Sequence, residues 1–164
     1  MVELRKIHHD NWIHCIGLEV TDEQRQFVNP NVFSLAEAYV HSEANKEDME
    51  EYYRCIPFAI YNNDTIIGFA MITYEKEYDF DGKPAYEIYR LMIDKNYQGK
   101  GYGKEAINLL LNYIQTFPYG KVENVYVEWH PDNKISEKIF SAKGFTIVGL
   151  DEGEAIIARW NLNG

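Results

Sequence analysis

Gln98-Gly99-Lys100-Gly101-Tyr102-Gly103 joins an apolar strand pattern ending at Ile93 to an amphipathic helix pattern over 104–116. A glycine-rich turn that opens a helix leaves backbone N–H groups unpaired. The helix dipole adds partial positive charge at the same place, so phosphate is the natural ligand. Lys100 and Lys104 add cationic side chains to an otherwise acidic chain. A Walker A loop is excluded, because no Gly-Lys-Ser/Thr follows a longer glycine span. A dinucleotide fingerprint is excluded because Gly99, Gly101 and Gly103 are spaced two and two. Two readings remain for the glycines alone: a pyrophosphate loop for coenzyme A, or a tight strand-to-helix turn with no ligand.

The rest of the chain supplies the frame. Val2 to Ile7 alternates as a strand, and Asp10 opens a helix through Leu18 with Trp12, Ile13, Cys15, Ile16 and Leu18 available for its buried side. Ser34 with Glu37 reads as a capping box for the helix at 35–40, followed by an acidic helical stretch over 46–53. Strands are expected at 58–61, 65–74 and 85–93, then a helix, a strand at 122–129, a helix at 133–142 closed by Lys143-Gly144, and two last strands at 145–150 and 154–162. This order predicts one α/β domain over 1–164, built around a mixed sheet.

Composition narrows the partners. Hydrophobic content of 46% and aromatic content of 15% suit a packed core. A net charge of −10 argues against nucleic acid and suits a cationic small substrate, or serves solubility alone. Cys15 and Cys55 read as buried thiols, without disulfide or metal spacing. No metal is expected. No apolar run reaches membrane-spanning length, no signal-peptide core is visible near the N-terminus, and a cytoplasmic location is the simplest expectation.

The run from Leu91 to Gly103 resembles the acetyl-CoA motif of the GNAT superfamily of N-acetyltransferases, Gln/Arg-x-x-Gly-x-Gly/Ala. Asn133, Ser136 and Lys143-Gly144-Phe145 resemble its second block. The resemblance implies a mostly antiparallel sheet with splayed central strands, flanked by about four helices. It implies acetyl-CoA as cosubstrate, with the backbone of Leu91, Met92 and Ile93 pairing with the pantetheine arm and residues Gln98, Gly99, Lys100, Gly101, Tyr102 and Gly103 holding the pyrophosphate. Asn133 would meet the pantetheine region, or simply cap its helix. The family's usual tyrosine falls at Phe140, which cannot donate a proton and is assigned to coenzyme packing. A homodimer is among the states the resemblance admits.

Glu87 lies eleven residues before Gln98 and resembles the catalytic glutamate of the histone-acetylating branch. Strand alternation puts Glu87, Tyr89 and Leu91 on one side. Acidic residues crowd the 75–87 unit and the 37–51 region, with Tyr39, Tyr52, Tyr53, Tyr74, Tyr78 and Tyr89 interleaved. That mixture suits a polycation or is a solvated acidic face. Glu37, Tyr39, Glu77, Tyr89 and Glu128 are the candidate acceptor contacts. Short blocks, including Leu18-Glu19-Val20 and Glu77-Tyr78-Asp79, resemble the bacterial diamine and spermine/spermidine acetyltransferases. The expected function is acetyl transfer to a primary amine, most simply a polyamine. The alternatives are a protein N-terminus, an antibiotic or an amino acid as acceptor, and a non-catalytic acyl-CoA-binding domain.

Overall fold

A computed structural model describes residues 1–47 and 53–162, without the side chains of 43–47. In chain order come β1 (Val2–Lys6), α1 (Trp12–Ile16), a short 3-10 turn (Asp22–Gln24), α2 (Asn31–Glu47), β2 (Tyr53–Asn62), β3 (Thr65–Glu75), β4 (Ala85–Ile93), α3 (Tyr102–Ile114), β5 (Asn124–Trp129), α4 (Lys134–Lys143), β6 (Thr146–Leu150) and β7 (Ile156–Asn161). The strands form one sheet in the order β1-β2-β3-β4-β5-β7-β6. Every neighbouring pair is antiparallel except β4 and β5.

One face of the sheet carries α3 and α4. Ile72, Tyr86, Ile88, Val125 and Val127 pack there against Ile107, Leu110 and Ile114 of α3, all buried. The other face carries α1 and α2, with Phe69, Met71 and Met92 packed against Cys15 and Ala38. Burial of these side chains is worth about 1.5–3 kcal/mol each before entropy is counted.

The parallel contact between β4 and β5 is short. Only Tyr86 with Val125 and Glu87 with Tyr126 are paired. Beyond them β4 runs on to Ile93 and β5 to Trp129, each held by its antiparallel neighbour and not by the other. This divergence is the splay that the resemblance implies.

β4 is also bulged. Arg90 pairs with Met71 and Ile88 with Ile72, which leaves Tyr89 as an extra residue. A bulge reverses the side-chain alternation beyond it. The expectation that Glu87 and Leu91 share a side is therefore wrong. Leu91 and Ile93 pack with the α3 cluster, while Tyr89 packs with the α1–α2 cluster.

Several boundaries also moved. α1 spans one turn and buries only Cys15; Trp12 and Ile13 are 42% and 55% exposed, so the predicted apolar face there does not form. α2 begins at Asn31, not beyond Ser34, and the Ser34–Glu37 capping box is absent: Ser34 Oγ is buried without a partner. The acidic helical stretch predicted over 46–53 falls mainly on residues outside those described, and Tyr53 already belongs to β2. Pro57 lies inside β2, which starts at Tyr53, five residues ahead of the strand expected at 58–61. It sits one residue beyond the last β1 partner, on a sheet edge that needs no donor there. Among the described residues no helix is long and apolar enough to cross a membrane.

Candidate active site

The glycine loop follows β4 directly, and its geometry separates the roles of its glycines. Gly99 and Gly101 hold φ of 77° and 87°, in the left-handed region that favours glycine. A Cβ at either would meet nothing within 4 Å, so backbone conformation and not crowding calls for glycine there. Gly103 differs: a Cβ would lie 3.0 Å from Ile139 Cδ1 of α4. Its bareness serves the α3–α4 contact, where the sequence had suggested anion approach.

The loop can take an anion. Among the described residues, no hydrogen bond occupies the backbone N–H groups of residues 98 to 103. They stand at the N-terminus of α3, with Gly101 as a cap that contributes no side chain. Lys100 Nζ lies 5.5 Å from the Tyr97 ring centre, beside the turn. Free donors, a helix dipole and a nearby ammonium are what a pyrophosphate needs. The residues present fit coenzyme A.

The Gln98 side chain is committed elsewhere. It donates to Ile93 O at 2.8 Å and to Gln24 Oε1 at 2.8 Å, and accepts from Gln24 Nε2 at 3.2 Å. It braces the loop against the 3-10 turn, so its part in anion binding falls to its N–H. Asp94 does similar work, accepting from Glu19 N and Asn96 N at 3.0 Å each. Sequence reading quoted Gln24 and Asp94 only inside blocks of resemblance and gave neither a role, since a bracing contact across some seventy residues leaves no local pattern.

Asn133 caps α4, its side chain accepting from Ser136 N at 3.1 Å. Phe140 is 4% exposed, its ring stacked against Trp129 at 6.0 Å and edge-on to Phe145 at 5.3 Å. It packs in the core of the α3–α4 side of the sheet. Tyr102 accepts from Asn62 Nδ2 at 3.1 Å.

On the opposite face of the sheet, Glu87 stands at the apex of the splay. It is 7% exposed, and burial first, then the charges of Glu128 and Glu75, push its carboxyl up to about 8. Arg90 and the Tyr78 hydroxyl act the other way. Burial, together with Asp79 and Glu128, pushes Glu75 up to about 7. Glu128 is raised by burial, opposed by a hydrogen bond from Tyr78 OH at 3.0 Å. Three carboxyls thus crowd one partly dry place, where ionising one hinders the next.

The remaining candidates divide. Tyr89 OH donates to Glu37 Oε1 at 2.9 Å, and Arg90 Nη2 lies 3.7 Å from Glu37 Oε2 while its guanidinium covers the Tyr89 ring at 3.9 Å. Glu37 is therefore tied to β4 and borders the Glu87 cluster through Arg90. Tyr39 is 67% exposed on α2, and Glu77 is exposed in the β3–β4 turn; the structure does not bring either into contact with Glu87. Tyr78, which sequence reading named among the interleaved aromatics and in a turn block, is 4% exposed and donates its hydroxyl to Glu128 within the cluster. Among the described residues His8, His9 and Asp10 bring metal-ligand atom types within 4.8 Å of one another, all exposed and none belonging to this site.

A sheet opened at one parallel pair, with an anion-binding helix start on one face and buried carboxyls on the other, defines a group-transfer enzyme with an anionic donor. Residues 24–145 match the Acetyltransferase (GNAT) family, and the chain belongs to that family. Acyl transfer from acetyl-CoA is the chemistry of this class. The chain is 26% identical over 161 residues to a spermine/spermidine N(1)-acetyltransferase of Bacillus subtilis, covering 96% of this chain and 97% of that one. Its fold matches spermidine N-acetyltransferase from Vibrio cholerae, crystallised with CoA and spermine, at a TM-score of 0.64 and 16% identity over 96% and 92% of the two chains. It also matches aminoglycoside acetyltransferase AAC(6')-Ib, crystallised with coenzyme A and kanamycin, at a TM-score of 0.74 and 15% identity over 99% and 96%.

Proposed function

We propose that this enzyme acetylates a primary amine of a polyamine, with Glu87 as the general base. The observation that carries this is the buried Glu87 at the apex of the β4–β5 splay, flanked by Glu75 and Glu128. An acceptor amine arrives as an ammonium ion and must lose a proton before it can attack. A carboxyl whose affinity for protons sits near neutrality is suited to that task. The neighbouring carboxylates draw the cation in and hold its other charged nitrogens. The similarity to a spermine/spermidine acetyltransferase supports the same class of acceptor.

Bound acetyl-CoA supplies the activated acyl group as a thioester. The loop N–H groups hold its anionic end, and the edge of Leu91 to Ile93 that β5 leaves unpaired offers a strand to its peptide-like arm. Phe140 places no hydroxyl near the departing sulfur. A thiol is acidic enough to leave as its anion without that help.

The test is steady-state acetylation of spermidine, kanamycin, a peptide N-terminus and free amino acids. Spermidine is expected to give the highest kcat/KM. Glu87→Gln is expected to lower kcat by about 10²–10⁴-fold, the usual contribution of a general base. Full activity in that variant would refute the assignment. Coenzyme A binding with no turnover of any amine would point instead to a binding domain.

A further inference from the structure

We propose that Tyr78 is a positioning residue that sets acceptor specificity: its hydroxyl fixes the Glu128 carboxylate as the seat for a second ammonium, one short alkyl spacer from the amine that reacts. The inference rests on the reading that the carboxylates beside Glu87 hold the acceptor's other charges. It names the carboxylate that does so and the group that holds it in place.

Strand pairing puts Glu87 and Glu128 on one face of the sheet. Glu87 pairs with Tyr126 across the parallel seam. Tyr86, Ile88, Val125, Val127 and Trp129 all pack on the α3 side. The residues between them, Glu87, Tyr126 and Glu128, therefore face the other way. Glu128 follows Tyr126 by two residues, about 7 Å farther along β5. Past the seam β5 is held by β7 and β4 by β3, so a chain laid from Glu87 to Glu128 follows the open splay.

Glu128 is half-buried, and one of its oxygens is already committed. Its Oε1 accepts from Tyr78 OH at 3.0 Å. Among the described residues its Oε2 takes no hydrogen bond or ion pair. The neighbouring charges of Asp79 and Asp151 are acidic as well, so a cation is the group this carboxylate can receive.

The β3–β4 turn fixes the phenol. Tyr78 is 4% exposed. Tyr78 N donates to Lys83 O at 2.9 Å, and Gly82 N donates to Tyr78 O at 2.7 Å. The Tyr78 ring stacks on Tyr126 at 4.4 Å with 14° between planes. Tyr126 OH in turn donates to Asp81 Oδ2 of the same turn at 2.8 Å. Phe80 closes over Tyr126 from the side. These contacts hold the hydroxyl without any substrate. A glutamate left to itself must give up rotamer freedom when it grips a ligand. The Tyr78 bond orders Glu128 beforehand, which favours binding. An acceptor with a single amine brings nothing to Glu128 and gains nothing from this order.

The experiment measures steady-state kinetics of the full chain with spermidine and with propylamine, which carries no second charge. Tyr78→Phe keeps the ring and its stack and removes only the hydroxyl. It is expected to raise the KM for spermidine by about 5–10-fold, the usual effect of ordering one long side chain on binding, with kcat within about twofold. Its kcat/KM for propylamine should stay within about twofold, so the preference for spermidine falls. Glu128→Gln should raise the KM for spermidine at least as much. Adding Tyr78→Phe to Glu128→Gln should cost nothing further, because the hydroxyl acts through the carboxylate. Equal losses on both amines in Tyr78→Phe would show a merely structural role and overturn the inference. Losses that multiply in the double variant would overturn it too. If Glu128→Gln raises the KM for spermidine and Tyr78→Phe does not, the inference alone fails. If Glu128→Gln leaves that KM unchanged, the reading of the carboxylates fails and takes the inference with it. Turnover of kanamycin with none of spermidine would end the polyamine reading and this inference together.

Discussion

Glu87 sets a cost that depends on pH. Its carboxyl is raised in the folded chain, to about 8, because burial and two like charges disfavour ionisation. In the unfolded chain it ionises near the ordinary glutamate value of about 4.3. Between these values the folded state binds the extra proton, so the stability that Glu87 contributes is complete below the unfolded value and is lost as pH rises toward 8. Glu87→Gln removes the ionisation. The variant is therefore expected to melt above wild type at pH 8.5 and to lose that advantage at pH 4.5, as followed by thermal unfolding across pH. An equal offset at both pH values would show that the charge is not the cause. For catalysis the sign reverses. A general base at Glu87, as proposed, works as its carboxylate, so kcat/KM for spermidine is expected to climb with pH toward the region of 8.

The glycine loop shows at the scale of an element why identical residues carry unlike duties. Gly101 holds a left-handed backbone at the cap of α3, whereas Gly103 sits in the helix against Ile139. Gly101→Ala should cost about 1–2 kcal/mol through backbone strain. Gly103→Ala gains about 1 kcal/mol of helix propensity against a close contact with the flexible end of Ile139, and should be nearly neutral. Chemical denaturation of the two variants checks the contrast; equal losses would contradict it. The sequence displayed this loop, the strand before it and both closing helices, because helix and strand periods differ and Gly144 marks a stop. It did not display the Tyr89 bulge, which turns Leu91 and Ile93 to the α3 face. A bulge arises from pairing with β3, and no local pattern announces it. Glu87, Glu128 and Tyr78 were each singled out in the sequence, but their meeting was not: Tyr78 and Glu128 are fifty residues apart and join through the turn fold. Phe140 was visible as a missing hydroxyl, yet its burial between Trp129 and Phe145 depends on how α4 lies on the sheet.

Across the whole molecule a net charge of −10 acts on both substrates with opposite sign. A polycationic acceptor is drawn in and an anionic cosubstrate is repelled, and salt screens both over about 8–10 Å. Raising sodium chloride should therefore increase the KM for spermidine and lower, or leave unchanged, the KM for acetyl-CoA. A fall in both would remove electrostatic steering from the account. The sheet itself has a mechanical consequence. Two residue pairs, Tyr86 with Val125 and Glu87 with Tyr126, are the whole seam between its four-stranded and three-stranded parts. When two plates joined along so short a seam swing apart, displacement grows with distance from the pivot and vanishes at it. Leu91 to Ile93 and Glu128 to Trp129 ride on the arms, whereas Glu87 sits on the pivot. The mouth can widen to admit a long coenzyme while the Glu87 carboxyl keeps its position.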